Sequence, residues 1–293
     1  MTTELRWIAN RSVSCLHALD ALAEGRSLVV EDVAKALTGS ARRIASSCSK
    51  WGIATGRLFD HLVPLSLSIE TSRQLAEVAV QKSLGAPAAE TFAPSLASAI
   101  TEAKTAYTST CPGILDELEL RFGPLREQWE ARGPGVLAGV QRQLEPDLLV
   151  ESADVLLVQP VLGGGGRSHL PYNSVRIEAV LANPHAELPE VVRLAWLVAA
   201  LNLDLPKFSE SVPSIRAPGV IALALVPATL AAAEEVELVR DSQALLPRTL
   251  EVWNLDATKA EAVGNWWQTY RTSRPKLNVA LAALDKLVES GPR

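Results

Sequence analysis

The sequence predicts an α+β protein that is predominantly helical, with a small sheet around residues 150–185. Apolar residues recur at helical spacing through most of the first half, and two strand-like runs flank a glycine-rich segment that begins at residue 163. Two highly apolar helices, 188–204 and 217–240, follow these runs. A helix that is apolar on every face lies in a core or a membrane. We therefore expect the sheet to pack against these two helices.

The rest of the chain is expected to form helices separated by proline- and glycine-rich stretches. The strand-like runs are 153–162 and 173–184; in the second, apolar and charged residues alternate. The predicted helices are 3–24, 30–50, 69–84, 90–108, 113–132, 256–272 and 275–289.

We divide the chain into a helical N-terminal region, residues 1–132, and an α+β C-terminal region, residues 140–293. The boundary is the glycine-containing stretch "ARGPGVLAG", residues 131–139. Because the two apolar helices need cover on all sides, we expect both regions to pack as one body.

Composition and charge are those of an ordinary globular protein, with 48% apolar and 21% charged residues. The formal charge is −5, and Arg42 and Arg43 are the only adjacent basic pair. Nucleic-acid binding needs clustered positive charge to neutralise phosphates, so no nucleic-acid partner is predicted.

Three scattered cysteines and an N-terminus without a secretory pattern predict a cytoplasmic protein. The longer apolar run is free of charge for only about 17 residues and contains Pro227, whereas a membrane span needs about 20. Two core helices are the favoured interpretation, and a hairpin in the membrane is the alternative.

The stretch "PVLGGGGRSHLPYN", residues 160–173, is the strongest candidate for a binding site. A Walker-type phosphate loop needs Lys followed by Ser or Thr and then a helix, but here Arg167 and Ser168 precede a strand. No nucleotide or other cofactor is therefore predicted. The segment is either a solvated corner between strands or a site for a carboxylate or phosphate. The candidate ligand-binding residues are Gly163, Gly164, Gly165, Gly166, Arg167, Ser168, His169, Tyr172 and Asn173.

No complete catalytic or metal motif is present in the sequence. It has no HExxH, CxxC or GxSxG, and no two histidines share a helical face. His169 and His185 would converge only if their strands pair. We predict no catalytic residue and no metal ligand, which leaves enzymatic activity undecided.

The segment "NWWQTYR", residues 265–271, is the densest aromatic cluster of the chain. Trp, Tyr and Arg dominate binding hot spots, but the same spacing suits the core face of a helix. Both interpretations remain open for Trp266, Trp267, Tyr270 and Arg271.

The order strand, glycine-rich edge, strand and hydrophobic helix over about residues 150–240 resembles the zincin metallopeptidases. In the helix "VVRLAWLVAALNL", Trp196, Leu197 and Ala200 stand where the His, Glu and His of that family would be needed. The resemblance implies a zincin-like fold that lacks the metal motif.

The leading functional hypothesis is a soluble, non-catalytic interaction or scaffold protein, whose partner is another protein or a second copy of the chain. The alternative is a small-molecule-binding protein or enzyme that uses the glycine-rich loop 163–173. A membrane partner is not expected.

Overall fold

A computed structural model describes residues 3–289 and confirms the predicted class, with 66% helix and a small mixed sheet. The strands are β1 (Glu4–Ala9), β2 (Ser152–Val158), β3 (Gly166–His169) and β4 (Ser174–Glu178). The helices are α1 (Arg11–Ala23), α2 (Glu31–Lys50), α3 (Thr55–Leu65), α4 (Ser72–Leu84), α5 (Ala86–Thr110), α6 (Ile114–Gln143), α7 (Glu190–Ala199), α8 (Pro206–Ser209), α9 (Ala217–Glu235), α10 (Ser242–Val252), α11 (Ala260–Ser273) and α12 (Leu277–Glu289).

The sheet has the strand order β1-β2-β4-β3. β1, β2 and β4 are parallel, and β3 lies antiparallel to β4 at one edge. Val155 at the centre of β2 lies between Trp7 of β1 and Val175 of β4. Three strands come from the predicted region, whereas the fourth comes from the N-terminus.

The predicted helix over residues 3–24 is wrong in its first third, because Glu4–Ala9 forms β1. The side chain of Asn10 accepts hydrogen bonds from the backbone N–H groups of Ser12 and Val13, so the helix begins only at Arg11. The strand before the cap is added to the sheet beside β2 instead.

The two faces of the sheet are covered by different helices. Arg176 and Glu178 of β4 contact Asp20 and His17 of α1. The alternate residues of β4 point to the opposite face, where α7 packs against β4 and β3. All five residues of β4 are buried.

The apolar helices form the centre of the C-terminal half. Every residue of α7 is buried, and α9 packs against α6, α7, α10, α11 and α12. By length and composition α9 could cross a membrane, but 72% of its most apolar window is buried against the protein, as in a core helix.

Helix α6 runs without interruption through residues 131–139, where the sequence suggests a boundary. β1, from the N-terminal region, pairs with β2, from the C-terminal region. The division into two regions stays a prediction, for which limited proteolysis is the direct test.

Candidate functional site

A cleft of about 820 Å³ opens beside the edge strand β3, which separates two walls of contrasting chemistry. β3 contacts α3 on one side and α7 on the other. The first wall, from α1 and the segment after it, α3, α4 and β4, is polar and is lined by His17, Glu24, Arg26, Arg57, Asp60, His61, Lys82 and Arg176. The second wall, around α7, α9 and the segment after α10, is lined by Trp196, Leu197, Ala200, Asp204, Pro218, Ile221, Ala222, Trp253, Asn254 and Leu255.

The backbone of β3 lies between these walls with one edge unpaired. The backbone N–H of Glu178 donates to the carbonyl of Gly165, at 2.8 Å, so these two residues form a hydrogen-bonded pair of the antiparallel ladder. Hydrogen-bonded and non-hydrogen-bonded pairs alternate in such a ladder. The N–H and C=O groups of Gly166 and Ser168 therefore point away from β4, and both residues line the cleft.

Arg167 is held by carboxylates of the protein itself. Its Nε lies 2.8 Å from Asp60 Oδ1, and its Nη1 lies 3.0 Å from Glu24 Oε1. Gly56 of α3 makes room for it, because a Cβ there would collide with the guanidinium. Burial alone would lower the pKa of Arg167, but the charges of Asp60, Asp20 and Glu24 outweigh burial and raise it. This cation is internally neutralised.

A second carboxylate explains the conformation of the glycine-rich loop. Glu178 is fully buried and accepts hydrogen bonds from the backbone N–H groups of Leu162, at 2.8 Å, and Gly164, at 2.6 Å. Gly163 and Gly164 have φ angles of 79° and 130°, which side-chain-bearing residues rarely adopt. The loop thus folds around a carboxylate of its own chain. His17 Nε2 completes the shell at 2.8 Å from Glu178 Oε1.

The adjacent histidine, His169, is fully buried, with Nδ1 3.5 Å from Asp60 Oδ1. Burial lowers the pKa of His169 to about 4, so the ring is neutral at pH 7. For Asp60, burial acts to raise the pKa, but His169 and Arg167 outweigh burial and lower it. Asp60 is therefore a permanent anion at neutral pH.

Two cations of the polar wall remain free of carboxylates. Arg57 and Lys82 are exposed, and within residues 3–289 neither forms an ion pair. Both act to lower the pKa of the nearby His61, although burial is the larger cause. His61 Nδ1 lies 2.9 Å from the hydroxyl of Tyr172. This corner of the cleft can accept a negatively charged group.

The structure brings only part of the predicted ligand-binding set to the cleft. Gly166, Arg167 and Ser168 line it, whereas Gly163 and Gly164 line a smaller side pocket. The other members are placed as follows: Gly165 and His169 are buried, Tyr172 contacts His61, and Asn173 forms a left-handed turn beside another cavity. The ligand-binding role of these residues stays a prediction.

The aromatic cluster of α11 lies in the core. Trp266, Trp267 and Tyr270 are each at most 6% exposed. The indole N–H of Trp266 donates to the carbonyl of Ala280, at 2.8 Å, and the Tyr270 hydroxyl donates to that of Leu144, at 3.1 Å. Arg271 is exposed beside them.

The helix compared with the zincins is α7. Trp196, Leu197 and Ala200 line the apolar wall of the cleft. In the part of the chain that is described, no three His, Cys, Asp or Glu side chains are grouped to hold a metal ion. The chain matches no known protein family, and neither the curated proteins nor the solved structures contain a detectable relative.

Sequence reasoning missed the charged cluster behind β3. His17, Asp20 and Glu24 are spaced i, i+3 and i+7, so they lie on one face of α1 and its C-cap. That spacing was the available signal. Their partners, Arg167, Arg176 and Glu178, are more than 140 residues away, and nothing local identifies them.

Proposed function

We propose that the protein is a non-catalytic interaction module that binds an extended segment of a partner protein in the cleft. The observation that carries this proposal is the free edge of β3, with the backbone groups of Gly166 and Ser168 facing the cleft. An extended peptide can add a strand to such an edge, and main-chain hydrogen bonds then supply affinity.

The two walls define the kind of peptide. Successive side chains of a strand point to opposite faces, so an added strand would direct alternate residues to each wall. Trp196, Ile221 and Trp253 favour apolar residues on one side. Arg57 and Lys82 favour acidic residues on the other. β3 has four residues, which limits direct pairing to a short segment of the partner.

The carboxylates beside β3 are paired with groups of the protein itself, which supports a binding function over a catalytic one. The two carboxylates beside β3 that could act as acid or base are already engaged: Asp60 with Arg167, and Glu178 with His17 and two amides. The cysteines are free, and burial raises the pKa of Cys15 to about 12, which suits unreactive thiols in the cytoplasm.

The test is an array of nonapeptides that alternate apolar and acidic residues, screened by fluorescence polarisation. Ser168→Pro removes the outward N–H and places a ring in the path of an added strand, while the ladder to β4 does not use that N–H. We expect this variant to weaken binding at least about tenfold, the equivalent of one charge-free hydrogen bond plus steric exclusion.

Ser168→Ala is the matched control. It keeps the N–H and removes only the hydroxyl that donates to the Leu197 carbonyl, at 2.7 Å. We expect its affinity to stay within about threefold of the parent protein. An array without any binder, or equal binding by both variants, would contradict the proposal.

A further inference from the structure

A side pocket of about 370 Å³ adjoins the cleft at the end where β3 begins. The two cavities share Arg26 and Asn254 in their linings. Gly163 and Gly164 form part of the pocket wall, and Arg193 and His185 complete its polar lining. A ligand that lies along β3 can therefore extend into this pocket.

Arg193 is the group that gives the pocket its chemistry. Its side chain is only 5% exposed, its Nε lies 3.1 Å from Glu190 Oε2, and its guanidinium packs over the ring of Trp253. Within residues 3–289, the buried Nε has no aligned hydrogen-bond acceptor, and the two terminal nitrogens make no hydrogen bond to the protein. A buried guanidinium with unused donors is costly unless an acceptor fills them. A carboxylate best matches the forked arrangement of the guanidinium N–H groups.

The charges around the pocket also favour an anion. Arg26 is a second cation, and its carboxylate neighbour Glu24 is closer to Arg167, at 3.0 Å, than to Arg26, at 3.9 Å. Glu190 is matched by Arg193, and the carboxylate of Glu178 is satisfied by backbone amides and His17. The charged side chains that line the pocket are the two cations Arg26 and Arg193, whereas Glu24, Glu178 and Glu190 lie outside its lining.

The direction of β3 determines which end of an added peptide reaches the side pocket. Gly163 and Gly164 precede β3, so the pocket lies at the N-terminal end of that strand. A peptide added antiparallel to β3 would bring its C-terminus to this end, whereas a parallel peptide would bring an ammonium group toward Arg26 and Arg193. We infer that the side pocket binds the C-terminal carboxylate of an extended peptide that pairs antiparallel with β3. This inference rests on the proposed function.

The experiment compares three N-acetylated forms of each array peptide. One has a free C-terminal carboxylate, one has a C-terminal carboxamide, and one is a carboxamide with glutamate as its last residue. We expect the free acid to bind at least about tenfold more tightly than either amide, as for a charge-assisted hydrogen-bonded pair.

Arg26→Gln should abolish that preference, and Arg193→Gln should do so if it folds, as judged by circular dichroism. Arg73→Gln makes the same charge change on an exposed part of α4 and should preserve the preference. Equal binding of the free acid and the plain carboxamide overturns the inference while the proposed function stands. Equal binding of the glutamate amide and the free acid overturns the assignment to a C-terminus. Failure of all three forms overturns the proposed function itself.

Discussion

The two faces of β4 are equally buried but hold opposite chemistry. Toward α1 the strand presents Arg176 and Glu178, which pair with Asp20 and His17 of that helix. Toward α7 it presents Val175 and Ile177, which need only apolar neighbours of suitable shape. Apolar packing tolerates small changes of shape, whereas a buried charge tolerates no loss of its partner. Substitutions in β4 should therefore be tolerated better on the side that faces α7 than on the side that faces α1.

The largest effect is expected from Arg176→Met. The variant leaves Asp20, which is fully buried, without its closest cation, and we expect the free energy of unfolding to fall by about 3–5 kcal/mol. Ile177→Val, on the apolar face of the same strand, should cost only about 1 kcal/mol. Urea denaturation of both variants measures the contrast.

A double variant sharpens this contrast. Asp20→Asn combined with Arg176→Met removes both charges and should recover part of the loss, since the buried carboxylate without its closest cation is the main source of the cost. If Arg176→Met and Ile177→Val lower the free energy of unfolding equally, substitutions on the charged face cost no more than those on the apolar face, which contradicts the contrast.

A pH change should act on the charged side of the sheet through its buried histidines. The unfolded chain protonates histidine near pH 6.5, but the folded protein holds the pKa of His169 at about 4, because the ring is buried. The unfolded state therefore binds more protons between these values, and stability falls as the pH falls. At pH 5 the cost from His169 alone is about 2 kcal/mol relative to pH 7.

His169→Gln isolates this contribution. Burial also lowers the pKa of His17, so some acid sensitivity of the same sign should remain in the variant. The wild type should lose about 2 kcal/mol more than the variant between pH 7 and pH 5, measured by urea denaturation at each pH. A parallel pH dependence of the two proteins would refute a neutral, buried His169.

The smallest effect concerns two neighbouring glycines. A Cβ at Gly166 would lie 2.6 Å from both the Arg176 carbonyl and Leu197 Cδ1, so Gly166→Ala should cost about 1–2 kcal/mol. Gly165→Ala is the matched control, because its Cβ would meet nothing closer than 3.7 Å. In thermal denaturation, the melting temperature should be highest for the wild type, lower for Gly165→Ala and lowest for Gly166→Ala. The reverse order of the two variants would contradict the close approach of β3 to α7.

Helical periodicity predicted most of the fold because it is a local property. The helices at 30–50 and 275–289 agree with α2 and α12 to within about two residues. β1 was missed because Leu5 and Ile8 extend the periodicity of α1 backwards, and only the cap at Asn10 separates the two elements.

The candidate site was predicted only in part. The glycine-rich segment does border two cavities, as its composition suggested it could. The reason for its glycines, a buried carboxylate at Glu178, depends on strand pairing that no local pattern reveals. The cations Arg57 and Lys82 reach the same cleft from different helices, so their relation is equally invisible in the sequence.

The pairing of β1 with β2 has a consequence for synthesis of the chain. Arg6 and Asp154, joined by two hydrogen bonds of 2.7 Å, are 148 residues apart. At about 5–20 residues per second, a ribosome takes roughly 7–30 s to make that interval. During this time β1 has no strand to pair with, so the N-terminal helices must emerge and begin to pack before the sheet can close. β1, with its six residues, is the first strand to be synthesised and among the last to pair.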